Sequence, residues 1–285
     1  MMKSSSNHSP FTKDVIAVIV LCYAVSGVIL LSQVGLWEMV RYVLINGVIV
    51  IAWLWSASIV LRDIPVPETE RILHPIFEVA CLLVGLIVAV GLVTNRYASW
   101  LLLPDWLYYI ATIGTVLILF IGLHYPISSL GLAWPSKRAW LALLAVILVN
   151  FGAAILFQVL PPGEKAEAPQ SDLANQITGP LSILFLFVGL LFRAALPEEL
   201  LFRVGLQPRL ARFVPLGWAI LIQALLFSTA HLPQKLILYQ EPLLLSLGYS
   251  LALDNGLISG YLWHRTRSLP LLLVLHLFAF PRWGI

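Results

Sequence analysis

Three groups of residues late in the chain carry side chains that can move protons. Glu198 and Glu199 stand side by side in Leu196-Pro197-Glu198-Glu199-Leu200-Leu201-Phe202-Arg203. His231 closes Phe227-Ser228-Thr229-Ala230-His231, and His276 interrupts the apolar run 270–280. A carboxylate can serve as a general base toward water, and an imidazole can take or give a proton near neutral pH. Glu199 and Arg203 are four apart with the acid first, the favourable direction for a helical ion pair. Glu198 falls about 100° around the helix from Glu199. The spacing therefore assigns Arg203 to Glu199 and leaves Glu198 to act as the base. Pro197 predicts a fresh helical segment whose positive end holds both acids. Competing readings are an interfacial Glu/Arg pair, a hydrogen-bonded packing role for His231 or His276, and a loop position for His264.

The setting of these residues follows from composition. The chain is 60% hydrophobic and only 11% charged, with a mean hydropathy of +0.93. A soluble domain carries about 25% charged residues, so lipid must be the main solvent here. The fold class expected is all-α, a polytopic transmembrane helical bundle of about eight to nine spans. Its apolar runs lie near 15–36, 40–61, 75–94, 107–124, 139–160, 181–207, 217–237, 243–263 and 269–281. The first exceeds the roughly 7–15 residues of a signal-peptide core and reads as an uncleaved span. Cys22 and Cys81 sit inside apolar runs and read as buried free thiols. The net charge of +3 is small and spread over loops, which gives no case for a nucleic-acid partner.

Orientation follows from Lys and Arg. Alternate loops divide them into Lys3, Lys13, Arg62, Arg71, Lys137, Arg138, Arg209, Arg212, Arg265 and Arg267 on one side. Arg41, Arg96, Lys165, Lys235 and Arg282 fall on the other. The positive-inside rule then places the N-terminus in the cytoplasm. The polar loop 161–180, with Glu164, Glu167 and Asp172, falls outside and divides the chain. Residues 1–160 are read as N-terminal transmembrane helices and 181–285 as the catalytic core. An ionisable group in hydrocarbon costs a few kcal/mol or more and marks a cavity or a partner. The first part offers Glu78, with His74 and His124 near span ends. The second offers Arg193, Glu198, Glu199, Arg203, His231, Asp254, His264 and His276. That asymmetry puts the chemistry after residue 180. Gly256-x-x-x-Gly260 adds a spacing that permits close helix contact, and Asp254-Asn255 precedes it.

Glu198-Glu199-x-x-x-Arg203, Phe227-x-x-x-His231 and the closing His276 together resemble the CPBP family of CAAX-type prenyl endopeptidases and bacteriocin-processing (Abi) proteins. The stretch 256–276 resembles that family's third block running into its fourth. The resemblance covers about residues 181–285. It implies an intramembrane endopeptidase in which Glu198 activates water with support from Glu199. His231 and His276 would then polarise the water or the substrate carbonyl in a water-filled cavity open to the cytoplasm. Arg203 and Asn255 would support the site. The implied partners are a peptide or membrane-protein substrate and the lipid bilayer. The family's last motif pairs its histidine with Asn or Asp four residues on, whereas here that position is Phe280. Phenylalanine donates no hydrogen bond, and loss of one oxyanion donor costs on the order of 100- to 1,000-fold in rate.

Glu and His also suit zinc, and a metal would fall to Glu198, His231 and His276. The chain lacks His-Glu-x-x-His, so the expectation is a glutamate base without a cofactor. Two other functions compete. One is an inactive relative that serves as a membrane binding or immunity module, motivated by Phe280. The other is a small transporter, which internal repeats would mark and which this sequence does not show.

Overall fold

A computed structural model describes residues 10–67, 72–98, 101, 103–104, 106–159 and 180–279. Among them every regular element is helical. Helix α1 is Lys13–Val34, α2 is Asn46–Val60 and α3 is Pro75–Ala98. Helix α4 covers Trp106–Gly122 with a π turn at Ile110–Gly114, and α5 is Lys137–Val159. A continuous helical run, α6, covers 180–210, then α7 is Leu216–Ala230. Helices α8, Leu243–Ser250, α9, Asp254–Thr266, and α10, Leu269–Ala279, complete the bundle. The polar loop call falls on 161–179, which lie outside the described residues, as do Lys3, Arg71, Lys165, Arg282 and Phe280.

Each apolar run of the sequence falls on helix, because such runs satisfy the backbone internally where water is absent. Three stretches are both long and apolar enough to cross a membrane: Lys13–Val34, Pro75–Ala98 and Leu216–Leu238. Asn46–Val60, Trp106–Gly122 and Leu269–Phe278 are apolar but shorter. One expected span is broken. The run 243–263 divides at 251–253 into α8 and α9. Eight residues of α8 rise only about 12 Å, too little to cross. Large apolar side chains, among them Val20, Val28, Ile51, Trp55, Val84, Ile87, Leu148 and Ile155, stand more than half exposed around the bundle. In water that surface would aggregate, and in lipid it is solvated. The chain is an integral membrane protein.

The core joins both parts of the sequence. Helix α2 packs on α5 and α9, α7 on α9, and α1 on α8. One end of the bundle gathers basic residues. There the Arg265 guanidinium donates to the Leu61 and Ile64 carbonyls, and Arg138 lies 3.6 Å from Asp63. Leu269 N donates to Gly131 O at 2.7 Å, and Trp218 Nε1 to Asp14 at 2.7 Å. Gly131 has φ +68°, and a Cβ there would meet the Trp263 ring at 2.6 Å, so this corner requires glycine.

Helices α7 and α9 touch along Gly256-x-x-x-Gly260. A Cβ at Gly256 would lie 2.6 Å from Ala224 Cα, and one at Gly260 would lie 2.7 Å from Gln223 Nε2. The approach lets Gln223 Nε2 donate to Gly256 O at 2.6 Å and Gln207 Nε2 to Gly260 O at 2.9 Å. Gly256→Leu is therefore expected to part the two helices. Overpacking of this kind costs about 1–3 kcal/mol, read as a lower melting temperature in detergent. An unchanged melting temperature would show that the contact is loose.

Candidate active site

The helix that carries Glu198 and Glu199 is not freshly started at Pro197, as the sequence suggested. Pro197 lies inside α6, in a short α segment Leu196–Glu198 set between π turns at Leu191–Ala195 and Glu199–Leu206. The cause is local. Proline cannot donate the backbone bond of a regular turn, and a wider i→i+5 turn on either side absorbs the mismatch, as is frequent at functional sites. Pro208 poses the same problem one step later. There the Arg209 side chain donates Nη1 to the carbonyls of Val204, at 3.1 Å, and Gly205, at 3.0 Å.

The π segment buries Glu199 and Arg203 completely, with Arg203 Nε 3.3 Å from Glu199 Oε2. The division read from the four-residue spacing holds. The guanidinium also lies 4.2 Å from the centroid of Phe227 on α7. Burial of the cation is thus met by one carboxylate and one π face.

Phe227 reaches the site through its backbone as well. Its carbonyl belongs to the last turn of α7, where the His231 N–H bonds to Ser228 O instead. The imidazole takes that place, Nδ1 donating to Phe227 O at 2.8 Å. The four-residue spacing of Phe227-x-x-x-His231 is what makes this closure reachable. With Nδ1 so used, His231 turns Nε2 toward Glu198 Oε1, 3.7 Å away.

His276 on α10 repeats the arrangement. Nδ1 lies 3.0 Å from Glu199 Oε1 and donates to that carboxylate, while Nε2 lies 3.7 Å from Glu198 Oε2. Glu199 therefore holds Arg203 with one oxygen and His276 with the other. Glu198 is flanked by two imidazole Nε2 atoms, one beyond each carboxylate oxygen. At 3.7 Å neither contact is a direct hydrogen bond.

Glu198, Glu199, His231 and His276 thus converge, and Arg203 joins them. Glu198 is 15% exposed and His231 36%, whereas Glu199 and Arg203 are sealed. All of Glu199–Leu206, and Gln207 after it, is buried. An apolar cleft of about 230 Å³ between α3 and α7 is lined by Leu86, Val90, Leu226, Thr229 and Ala230.

Asn255 lies in the first turn of α9, which packs on α7 and on the π segment of α6. The Asp254 side chain is outside the described residues. Arg193 is exposed, and His264 belongs to the last turn of α9 and not to a loop. Among the described residues no group of three His, Cys, Asp or Glu side chains could hold a metal ion. No step below runs through a metal.

Two further sets of buried polar groups lie outside the motifs of the sequence. Gln207 and Gln223 are neutral, so no charge marks them within their spans. Glu78 and Arg209 form a second ion pair, 2.7 Å apart and almost wholly buried. Glu78 also accepts from Tyr125 Oη at 2.8 Å and from the His74 N–H at 3.0 Å. The lone acid of the early spans was a signal, but nothing in the sequence named its partner.

Residues 180–279 match the model of a family described as type II CAAX prenyl endopeptidase Rce1-like. The segment is thus similar to the CPBP type. The match includes Glu198, Glu199, Arg203, His231 and His276, and it leaves residues 1–179 and Phe280 outside. Searches of curated proteins and of solved structures gave no match to the chain. The Rce1-like family is one of membrane proteases, and the protein is protease-like at that level.

Proposed function

We propose that this protein is an intramembrane endopeptidase that hydrolyses a peptide bond with water activated by Glu198. The observation that carries the reading is the Glu198 carboxylate set between two imidazole Nε2 atoms inside a membrane bundle. Burying these groups together costs free energy that packing alone would not repay. Perturbed ionisable clusters of this kind concentrate at functional sites.

Each residue has a task. Glu198 takes a proton from water as the oxygen adds to the scissile carbonyl carbon. The resulting oxyanion is tetrahedral and negatively charged. When the carbon–nitrogen bond breaks, Glu198 returns the proton to the leaving amine. His231, held by Phe227 O, and His276, held by Glu199, orient the water or polarise the carbonyl. Glu199 and Arg203 fix the tautomer and position of His276, as second carboxylates do for catalytic histidines. The substrate is a peptide or the tail of a membrane protein.

The direct test is cleavage of a peptide pool by the purified protein in detergent, with products identified by mass. Cleavage that persists in a chelator supports the glutamate-base route without a cofactor. Cleavage lost in chelator and restored by zinc would replace it with a metal route. An intact pool would favour the inactive relative, for which Phe280→Asn is the variant expected to recover turnover.

A further inference from the structure

Away from the reacting groups, α6 and α7 face each other along a ladder of four-residue steps. On α6 the steps are Glu199, Arg203 and Gln207, and on α7 they are His231, Phe227 and Gln223. At one end Glu198, beside Glu199, stands 3.7 Å from His231. In the middle the Arg203 guanidinium lies 4.2 Å from the Phe227 centroid, and Phe202 meets the same ring edge-on at 5.3 Å. At the other end the Gln207 and Gln223 amides come together around Gly260. A Cβ there would lie 2.7 Å from Gln223 Nε2 and 3.0 Å from Gln207 Oε1.

Helix α9 is the third partner. Gln223 Nε2 donates to Gly256 O at 2.6 Å, and Gln207 Nε2 donates to Gly260 O at 2.9 Å. Each glutamine ties its own helix to a neighbouring turn of the same third helix. Stability does not explain the two amides. Both side chains are buried, and among the described residues neither Oε1 has a hydrogen-bond partner. A buried amide left half-paired costs free energy that an apolar side chain of the same shape would not. The accepting carbonyls do not need them either, because a helical carbonyl already serves the N–H four residues on. What the amides add is position. A hydrogen bond fixes distance and direction, whereas apolar contact is non-directional.

We infer that Gln207 and Gln223 are positioning residues for the reaction, which tie α6 and α7 to α9 and so hold the Glu198 carboxylate and the His231 imidazole at their working separation. This rests on the endopeptidase reading above. Gln223 stands about 12 Å along α7 from His231. Between them is Phe227, whose carbonyl holds the imidazole and whose ring covers Arg203. Misplacement of reacting groups by about 1 Å costs about 100-fold in rate.

The test uses Gln207→Met, Gln223→Met and the double variant in the purified full chain. Methionine keeps the length of glutamine and has no N–H to donate. Ser259→Ala is the control, since Ser259 is wholly buried next to Gly260 and its Oγ has no hydrogen-bond partner among the described residues. Three readouts are taken: kcat with KM, melting temperature, and the imidazole resonances of protein carrying isotope-labelled histidine. His231→Gln assigns the His231 signal. Expected are a fall in kcat of about 10-fold in each single variant and about 100-fold in the double variant. KM and melting temperature should hold, and the His231 signal should move while that of the exposed His124 stays. Ser259→Ala should change none of these. Glutamines that merely pack would lower the melting temperature and leave the His231 signal in place, and that result overturns the inference. An unchanged kcat in the double variant of an active parent, or an equal loss in Ser259→Ala, also overturns it. If one single variant does not fold, the other, on the opposite helix, carries the comparison. If neither folds, the amides are structural and the inference falls. A parent that cleaves nothing sinks the endopeptidase reading alone, and the His231 signal then decides whether the glutamines set the geometry.

Discussion

Glu198→Gln is expected to abolish peptide cleavage while the protein expresses, folds and melts as the parent does. Glutamine keeps the size and hydrogen-bonding reach of the side chain but cannot accept the proton of water. Loss of a general base costs about 100- to 10,000-fold in rate. Stability should hold because Glu198 is not ion-paired to Arg203, and removing a charge from a low-dielectric site also removes its desolvation penalty. Glu199→Gln should behave otherwise. It leaves the Arg203 guanidinium buried beside the Phe227 and Phe202 rings without its carboxylate and takes the acceptor from His276 Nδ1. Stranding one member of a buried pair costs about 3–5 kcal/mol, so both melting temperature and turnover fall. The contrast is read from paired thermal denaturation and cleavage assays in one detergent. Full cleavage by the Glu198→Gln protein would remove Glu198 as the base. Equal stability loss in both variants would refute the division of roles between the two acids.

The parts of this site that were legible in the sequence are those set by short separations. Glu199 and Arg203 pair because four residues bring them to one side of a helical turn, and the π geometry between them did not undo it. His231 reaches its own helix's carbonyl over the same interval. The helices themselves were legible because lipid forces every apolar run to close its backbone bonds internally. What the sequence did not show is geometry made by several elements at once. Pro197 read as a helix start, yet flanking π turns carry the helix through it. The run 243–263 reads as one span by its length, yet it breaks at 251–253, just before Asp254-Asn255, where α8 packs on α1 and α9 on α7. Glu78 and Arg209 are 131 positions apart, beyond any periodic signal.

That distant pair sets the last expectation. Glu78→Gln should lower stability by about 3–5 kcal/mol, nearly as much as any single change in the chain, although Glu78 takes no part in the chemistry. The carboxylate is the counter-charge of Arg209 at 2.7 Å and the acceptor of Tyr125 Oη and His74 N. Arg209 also stacks 4.9 Å from the Phe120 centroid and closes the carbonyls of Val204 and Gly205 beneath Pro208. Those two residues end the π segment that begins at Glu199. Loss of Glu78 therefore loosens the floor of the site, and kcat should fall with melting temperature. The double variant Glu78→Leu with Arg209→Met separates charge from position. Removing both partners of a buried pair for apolar groups is close to neutral in stability, but it leaves the Val204 and Gly205 carbonyls without the Arg209 donors. Melting temperature should thus recover while turnover stays low. A double variant that recovers both would show that the pair serves stability alone. One that recovers neither would place the weakness in packing around Phe120 and Tyr125.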